Sequence, residues 1–343
     1  MKICVIAHGG KSTGMGHVVR CLALAQEFRR QGHAVFFISK YAQGIQKIQE
    51  QAFPVYRIAG GDSAAGGFFF GDESALQDEW QQAKRVLQEN RPDAVLLDSY
   101  NVTPWYFLEL KKYTGYVAYI DDVNRFVYPV DMLINGTASA LDMQYTKYRA
   151  EEILLLGLPY NLIREEFRDL PSPQIRGEIC DILITTGSSD PHQVTQTLIG
   201  LLSAIPTTAA CRLHAIVGAG FSNLDFPASP RLFLYPSPPQ MSDIMRKCDI
   251  AISAGGSTLY ELAACGIPTL AFAYADNQIP QMRALSRDGV LYDLGSYAGL
   301  DIQKLEKGIH FLRNPADRQV LSAKLQNLVD GEGPSRVVKA ICG

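Results

Sequence analysis

The stretch Ile3-Cys4-Val5-Ile6, followed by His8-Gly9-Gly10-Lys11-Ser12-Thr13-Gly14-Met15-Gly16-His17-Val18-Val19-Arg20, decides the fold. A short run of apolar, partly β-branched residues reads as a buried strand, and the glycines after it read as a tight turn. A helix is predicted over residues 17–31. Val18, Cys21, Leu22, Ala25 and Phe28 recur three and four apart, and Gly32 is placed to end it. Residues 34–38, 94–97 and 116–120 read as further strands, the last two each preceded by a segment able to form a helix. Strand and crossover in alternation predict a parallel sheet covered on both faces.

The same rhythm restarts after a break. Leu158-Pro159-Tyr160, the charged Arg164-Glu165-Glu166 and Pro171-Ser172-Pro173 read as a linker. Strands are then predicted at 181–185, 211–217 and 249–253, and helices at 192–203 and 240–247. The expected architecture is α/β. Residues 1–162 form one Rossmann-like doubly wound domain, 163–174 a linker and 175–329 a second such domain, with a ligand cleft at the carboxyl ends of the strands. The segment 330–343 is expected to be helical over 335–342.

Composition narrows the class. The 343 residues exceed one ordinary core, and 47% apolar with 20% charged residues is average globular usage. Lys and Arg number 32 against 35 Asp and Glu, so the net charge of −3 gives no footprint of a nucleic-acid binder. No run approaches the apolar length of a membrane span, and the five apolar residues after Lys2 are too short for a signal peptide core. Seven scattered cysteines without CxxC spacing read as reduced thiols, with no zinc site. The expectation is a cytoplasmic protein.

Two glycine-rich turns carry the chemistry. In the first, Gly14 and Gly16 let backbone approach a ligand, but neither the Walker A spacing nor the third glycine of the dinucleotide fingerprint is present. His17 stands at the helix start, where the dipole disfavours imidazolium, so it reads as a general base or equally as a structural histidine. Arg20, one turn on, reads as a ligand for a sugar or phosphate oxygen, or as a solvated residue. His8 keeps a lesser ligand-binding option, and the other histidines read as structural or surface. The second turn is Ala254-Gly255-Gly256-Ser257-Thr258-Leu259-Tyr260-Glu261. Glycines, hydroxyls and a helix start make a phosphate cradle, and Glu261 one turn on is placed to accept from a ribose diol. An ordinary N-cap with a capping-box Glu fits the same residues. Asn277 and Gln278 of Ala275-Asp276-Asn277-Gln278 fall at the same sheet edge.

These two turns resemble those of the spore coat polysaccharide protein SpsG family and the related UDP-sugar hydrolase of pseudaminic acid biosynthesis. Tyr119-Ile120-Asp121-Asp122, Gly157-Leu158-Pro159-Tyr160-Asn161-Leu162-Ile163-Arg164-Glu165-Glu166-Phe167 and Gly187-Ser188-Ser189-Asp190-Pro191 match in the same order. Ser188 stands where many relatives carry a second glycine. The resemblance implies a GT-B fold, like that of the UDP-GlcNAc transferase of peptidoglycan synthesis, with the C-terminal helix packed back on the first domain. It implies cleavage of a UDP-linked amino or deoxy sugar for surface or spore coat polysaccharide, with His17 activating water and Tyr100 of Asp98-Ser99-Tyr100 on the sugar side. Gly255, Gly256, Ser257, Thr258, Glu261, Asn277 and Gln278 would hold UDP. No cofactor is implied, and other enzymes of the polysaccharide pathway are conceivable partners. A GT-B glycosyltransferase and a non-catalytic nucleotide-sugar binding protein stand as alternatives.

The resemblance also implies independence of metal. The sequence has no Asp-x-Asp in the strand-to-loop setting used to hold a diphosphate through a cation, and the adjacent Asp121 and Asp122 should diverge at a strand end. UDP release from a UDP-sugar is therefore expected to survive EDTA. A strict requirement for added Mg²⁺ or Mn²⁺ in the same assay would contradict it.

Overall fold

The computed structural model describes residues 1–10, 14–59 and 73–343, so Lys11, Ser12 and Thr13 of the first glycine-rich turn lie outside the described residues. The chain divides into two compact units, one of Met1–Arg164 with Glu332–Gly343 and one of Glu165–Gly331. The segment read as a linker is therefore partly absorbed. Phe167 is 2% exposed within the second unit, because an aromatic between charged residues still gains by burial.

In the first unit the strands are β1 (Lys2–Ala7), β2 (Ala34–Ser39), β3 (Val55–Arg57), β4 (Ala94–Asp98), β5 (Tyr116–Ile120), β6 (Met132–Asn135) and β7 (Ile153–Leu156). They form a parallel sheet in the order β3-β2-β1-β4-β5-β6-β7. Helices α1 (Gly16–Arg30), α2 (Ala42–Glu50), α3 (Glu73–Asn90) and α4 (Pro104–Leu110) make the crossovers. Thr103 starts α4, its hydroxyl accepting from the Tyr106 N–H, with Pro104 in the first turn.

The period-2 pattern of β1 sorts its side chains into two cores. Ile3, Val5 and Ala7 pack with Val18, Cys21, Leu22 and Ala25 of α1. Cys4 and Ile6 pack on the other face with Trp80, Leu87, Tyr106 and Phe107.

The second unit repeats the plan with β8 (Asp181–Thr185), β9 (Arg212–Val217), β10 (Leu232–Pro236), β11 (Ile250–Ala254), β12 (Thr269–Ala273) and β13 (Tyr292–Ser296). Their order is β10-β9-β8-β11-β12-β13, again all parallel. The helices are α5 (Val194–Ala204), α6 (Ser242–Met245), α7 (Thr258–Ala264), α8 (Ile279–Arg287), α9 (Ile302–Phe311) and α10 (Pro315–Gln326). In each sheet the strand order reverses at one place, β1/β4 and β8/β11, and a doubly wound sheet takes its ligand at such a switch point.

The last helix, α11 (Gly333–Cys342), belongs to the first unit, where Val337, Val338 and Ile341 join the core beneath α1. It sits so close to the 158–161 segment that a Cβ at Gly333 would stand 2.0 Å from the Asn161 carbonyl oxygen. Arg336 adds a bond to the Pro159 carbonyl at 2.9 Å. Gly333→Ala is expected to lower unfolding stability by about 1–3 kcal/mol through overpacking, read as a lower urea midpoint. An unchanged midpoint would show that the contact yields freely.

Candidate active site

The carboxyl ends of β4 and β5 and the start of α1 bring five polar side chains together. Asp98 is the last residue of β4, in register with Ala7 of β1, and is 1% exposed. Its Oδ1 accepts from His17 Nδ1 at 2.6 Å and from Arg20 Nη2 at 2.7 Å, and its Oδ2 from Arg20 Nε at 2.6 Å. Arg20 Nη1 reaches the Asp122 carboxylate at 2.9 Å, whose other oxygen accepts from the Tyr100 hydroxyl at 2.5 Å. The Tyr100 ring lies edge-on to His17, with centroids 4.7 Å apart.

Burial alone would raise the Asp98 pKa, but the Arg20 guanidinium and His17 overcome it and hold the carboxyl well below the usual carboxylate range. Arg20 is held cationic by the same two carboxylates against the opposing effect of its burial. Burial first, and Asp122 second, push the Tyr100 phenol up, so its hydroxyl stays a donor. An ionised Asp98 accepts only, and therefore fixes the proton of His17 on Nδ1. In the neutral ring Nε2 is then the nitrogen with the lone pair.

Arg20 turns Nε, Nη1 and Nη2 to Asp98 and Asp122, because two carboxylates at adjacent strand ends need a cation between them. The Tyr100 hydroxyl likewise bonds to Asp122, leaving the ring as what it presents beside His17. Asp98 and Asp122 were missed as site residues. The sequence signal was present in both, a carboxylate at the end of an apolar strand, but its partner lies some eighty to a hundred residues away. Asp121 turns to a separate network, accepting from Asn124 N at 2.7 Å and Tyr128 Oη at 2.9 Å. In the first turn Gly14 has φ +72°, a conformation that requires glycine, and the Gly10 N–H bonds to its carbonyl at 3.1 Å. A Cβ at Gly16 would meet nothing within 4 Å.

In the second unit the other predicted residues gather after β11 and β12. Ser257 has helical φ and ψ and makes no capping bond, so an ordinary N-cap does not account for its hydroxyl. Gly255 is explained by packing, since a Cβ there would stand 2.4 Å from Met282 Sδ, whereas a Cβ at Gly256 would meet little besides Gln278 Nε2 at 3.7 Å. Gln281 donates to the Gly255 carbonyl and accepts from Tyr260 Oη at 2.8 Å, which pins the turn. Gln278 Oε1 accepts from the Tyr274 N–H at 2.8 Å, fixing the β12 exit, and the buried Asn277 Oδ1 has no hydrogen-bond partner. Thr258 opens α7 and Glu261 is 8% exposed in its first turn. Asp190 caps α5, accepting from Val194 N at 2.9 Å and Thr195 N at 2.8 Å. Among the described residues no group of His, Cys, Asp and Glu is arranged to hold a metal, and no helix is long and apolar enough to cross a membrane.

The architecture is that of the GT-B class. The crystal structure of Acinetobacter baumannii MurG matches with a TM-score of 0.67 at 16% identity over 99% of each chain. The glycosyltransferase SnogD from Streptomyces nogalater matches with a TM-score of 0.66 at 17% identity over 99% of each chain. Within that class the chain is related to SpsG and to the pseudaminic acid hydrolase proteins. The spore coat polysaccharide biosynthesis protein SpsG of Bacillus subtilis is 21% identical over 311 residues, 86% of this chain and 84% of that protein. The Helicobacter pylori pseudaminic acid cytidylyltransferase and UDP-2,4-diacetamido-2,4,6-trideoxy-beta-L-altropyranose hydrolase is 28% identical over 202 residues, 58% of this chain and 37% of that protein. An uncharacterised Methanocaldococcus jannaschii protein, MJ1062, is 25% identical over 289 residues, 79% of this chain. The chain spans 55% of the length of MJ1062. No protein-family model matches the chain.

The depressed Asp98 pKa ties the site to stability with a definite sign. The stabilisation is complete above the unfolded-state carboxyl value of about 4 and is lost as pH falls toward the lower folded-state value. The stability gap between wild type and Asp98→Asn is therefore expected to be widest near neutrality and to narrow as pH drops below about 4. Urea titrations across that range check it, and a gap independent of pH would contradict the ionised assignment.

Proposed function

We propose that the protein is a nucleotide-sugar hydrolase that releases UDP from a UDP-linked amino or deoxy sugar. The observation that carries the reading is the His17–Asp98 pair, a histidine whose Nδ1 is committed to a buried, ionised carboxylate at 2.6 Å. Nε2 then takes a proton from water as the water oxygen bonds to the anomeric carbon. The bond from that carbon to the phosphate oxygen breaks and UDP leaves with the electron pair. Asp98 steadies the imidazolium as it forms, and Arg20 keeps Asp98 ionised and in place. Ser257, Thr258 and the open Gly256 backbone are the proposed diphosphate donors, Glu261 the ribose acceptor, and Asn277 and Gln278 neighbours of the same ligand. The activity named for the H. pylori relative supports water as the acceptor. The relation to SpsG supports a place in the synthesis of surface or spore coat polysaccharide.

A transferase is the second reading, since a base of this geometry deprotonates a sugar hydroxyl as readily as water, and the fold is shared with SnogD. UDP release from a panel of UDP-sugars without acceptor separates the two: turnover supports the hydrolase, and strict dependence on an added acceptor supports the transferase. In either case His17→Asn should reduce kcat by about 10²–10⁴-fold, the usual worth of a general base, with UDP affinity nearly unchanged. Turnover within a few-fold of wild type would make His17 a structural residue.

A further inference from the structure

A second polar cluster stands on the opposite face of the same strand ends. His8 directly follows β1, and Lys40 directly follows β2. Cys4 and Ile6 face α3 and α4, and the strand alternation carries His8 to that side. There its Nε2 donates to Oε1 of Glu79 on α3 at 3.3 Å, an oxygen that also accepts from Tyr106 Oη of α4 at 3.2 Å. Lys40 forms an ion pair with the same carboxylate. Burial would raise Glu79, but His8 and Lys40 together hold it down at about 2, so its carboxylate accepts from the His8 Nε2–H. The Tyr41 ring stands edge-on to His8 at 6.4 Å.

What remains unmatched is His8 Nδ1. The residue is 5% exposed and this nitrogen is buried without a hydrogen-bond partner among the described residues, a costly state for a ring acceptor. Its place is informative. Ala7, the residue before it, pairs with Asp98, so His8 follows the strand next to the one that Asp98 ends, the two strands running about 5 Å apart with the two clusters on opposite faces of the sheet.

We propose that His8 is a specificity residue of the site, its Nδ1 accepting a hydrogen bond from an N–H or O–H on the sugar half of the nucleotide sugar. The inference rests on the reading of the site as one that takes a nucleotide sugar. Glu79, Lys40 and Tyr106 act through His8 by fixing its tautomer and tilt; they are positioning residues. A sugar with an acetamido or hydroxyl donor at the matching ring position is selected, and one lacking it leaves a buried acceptor unpaired.

Calorimetric titration of the full chain tests this with UDP, UDP-glucose, UDP-N-acetylglucosamine and UDP-N-acetylgalactosamine. His8→Gln puts an amide nitrogen where Nε2 stands, keeping the donor to Glu79 but removing the Nδ1 acceptor. His8→Asn puts an amide oxygen near Nδ1. The expected result is that His8→Gln binds the best UDP-sugar about five- to tenfold more weakly, as for one lost hydrogen bond, with UDP affinity unchanged, and that His8→Asn recovers most of the difference. His8→Gln binding UDP and the UDP-sugar as wild type does, or losing both equally, would overturn the proposal while leaving the nucleotide-sugar reading intact. A wild-type chain that binds neither UDP nor any UDP-sugar would overturn that reading and this inference with it.

Discussion

A carboxylate buried at the end of a parallel strand is the constraint around which the first unit is arranged. Asp98 has almost no contact with solvent, so its charge must be met by protein groups, and breaking such a pairing costs several kcal/mol. Both of its principal partners lie on α1. His17 and Arg20 are three residues apart, hence neighbours on one helix face, and both reach Asp98. Two anchors on one turn fix the rotation of α1 about its axis. That rotation turns Val18, Cys21 and Leu22 onto Ile3, Val5 and Ala7, and lays α1 against the final helix α11. The ionic cluster and the apolar core therefore select the same placement, the agreement between levels that a single native structure requires.

The two units use one backbone device for different chemistry. In each, a strand at the reversal of the sheet runs into a glycine turn and then a helix. The first unit fills the strand ends with ionised groups, Asp98, Arg20 and Asp122, suited to moving a proton. In the second, the Tyr260 hydroxyl donates to the Gln281 amide oxygen, the Gln281 amide nitrogen donates to the Gly255 carbonyl, and Ser257 and Thr258 open the helix. Neutral donors fixed in place suit a diphosphate, since they stabilise negative charge without changing protonation state.

The α/β class and the repeated doubly wound plan were legible because β1, β4, β5 and β8 are uninterrupted apolar runs, the pattern of strands buried on both faces. The edge strands β3 and β10 were not, since β3 is only three residues long and β10 ends in a proline inside a proline- and serine-rich stretch. The linker read at 163–174 contains the division between the units at Arg164 and Glu165, and Pro171-Ser172-Pro173 falls within the second unit. In the site, His17 stood out from its glycine turn, a local signal. Its orientation by Asp98, and the bridging of Asp98 to Asp122 by Arg20, join residues 78 to 102 positions apart, and a single sequence gives no sign of such pairings. Read from sequence, Arg20 is a ligand for a sugar or phosphate oxygen or a solvated residue, and its pairing with Asp98 and Asp122 is the part the sequence does not show.

In the proposed mechanism Asp98 fixes His17 as the Nδ1–H tautomer, leaving Nε2 as the base. Nitrogen-15 correlation spectra of the histidine side chains at neutral pH, with His17 assigned through His17→Asn, observe this directly. The account predicts a protonated Nδ1 and an unprotonated Nε2 in wild type, with the preference lost in Asp98→Asn. A His17 ring carrying its proton on Nε2, or a tautomer unaffected by Asp98→Asn, would contradict it.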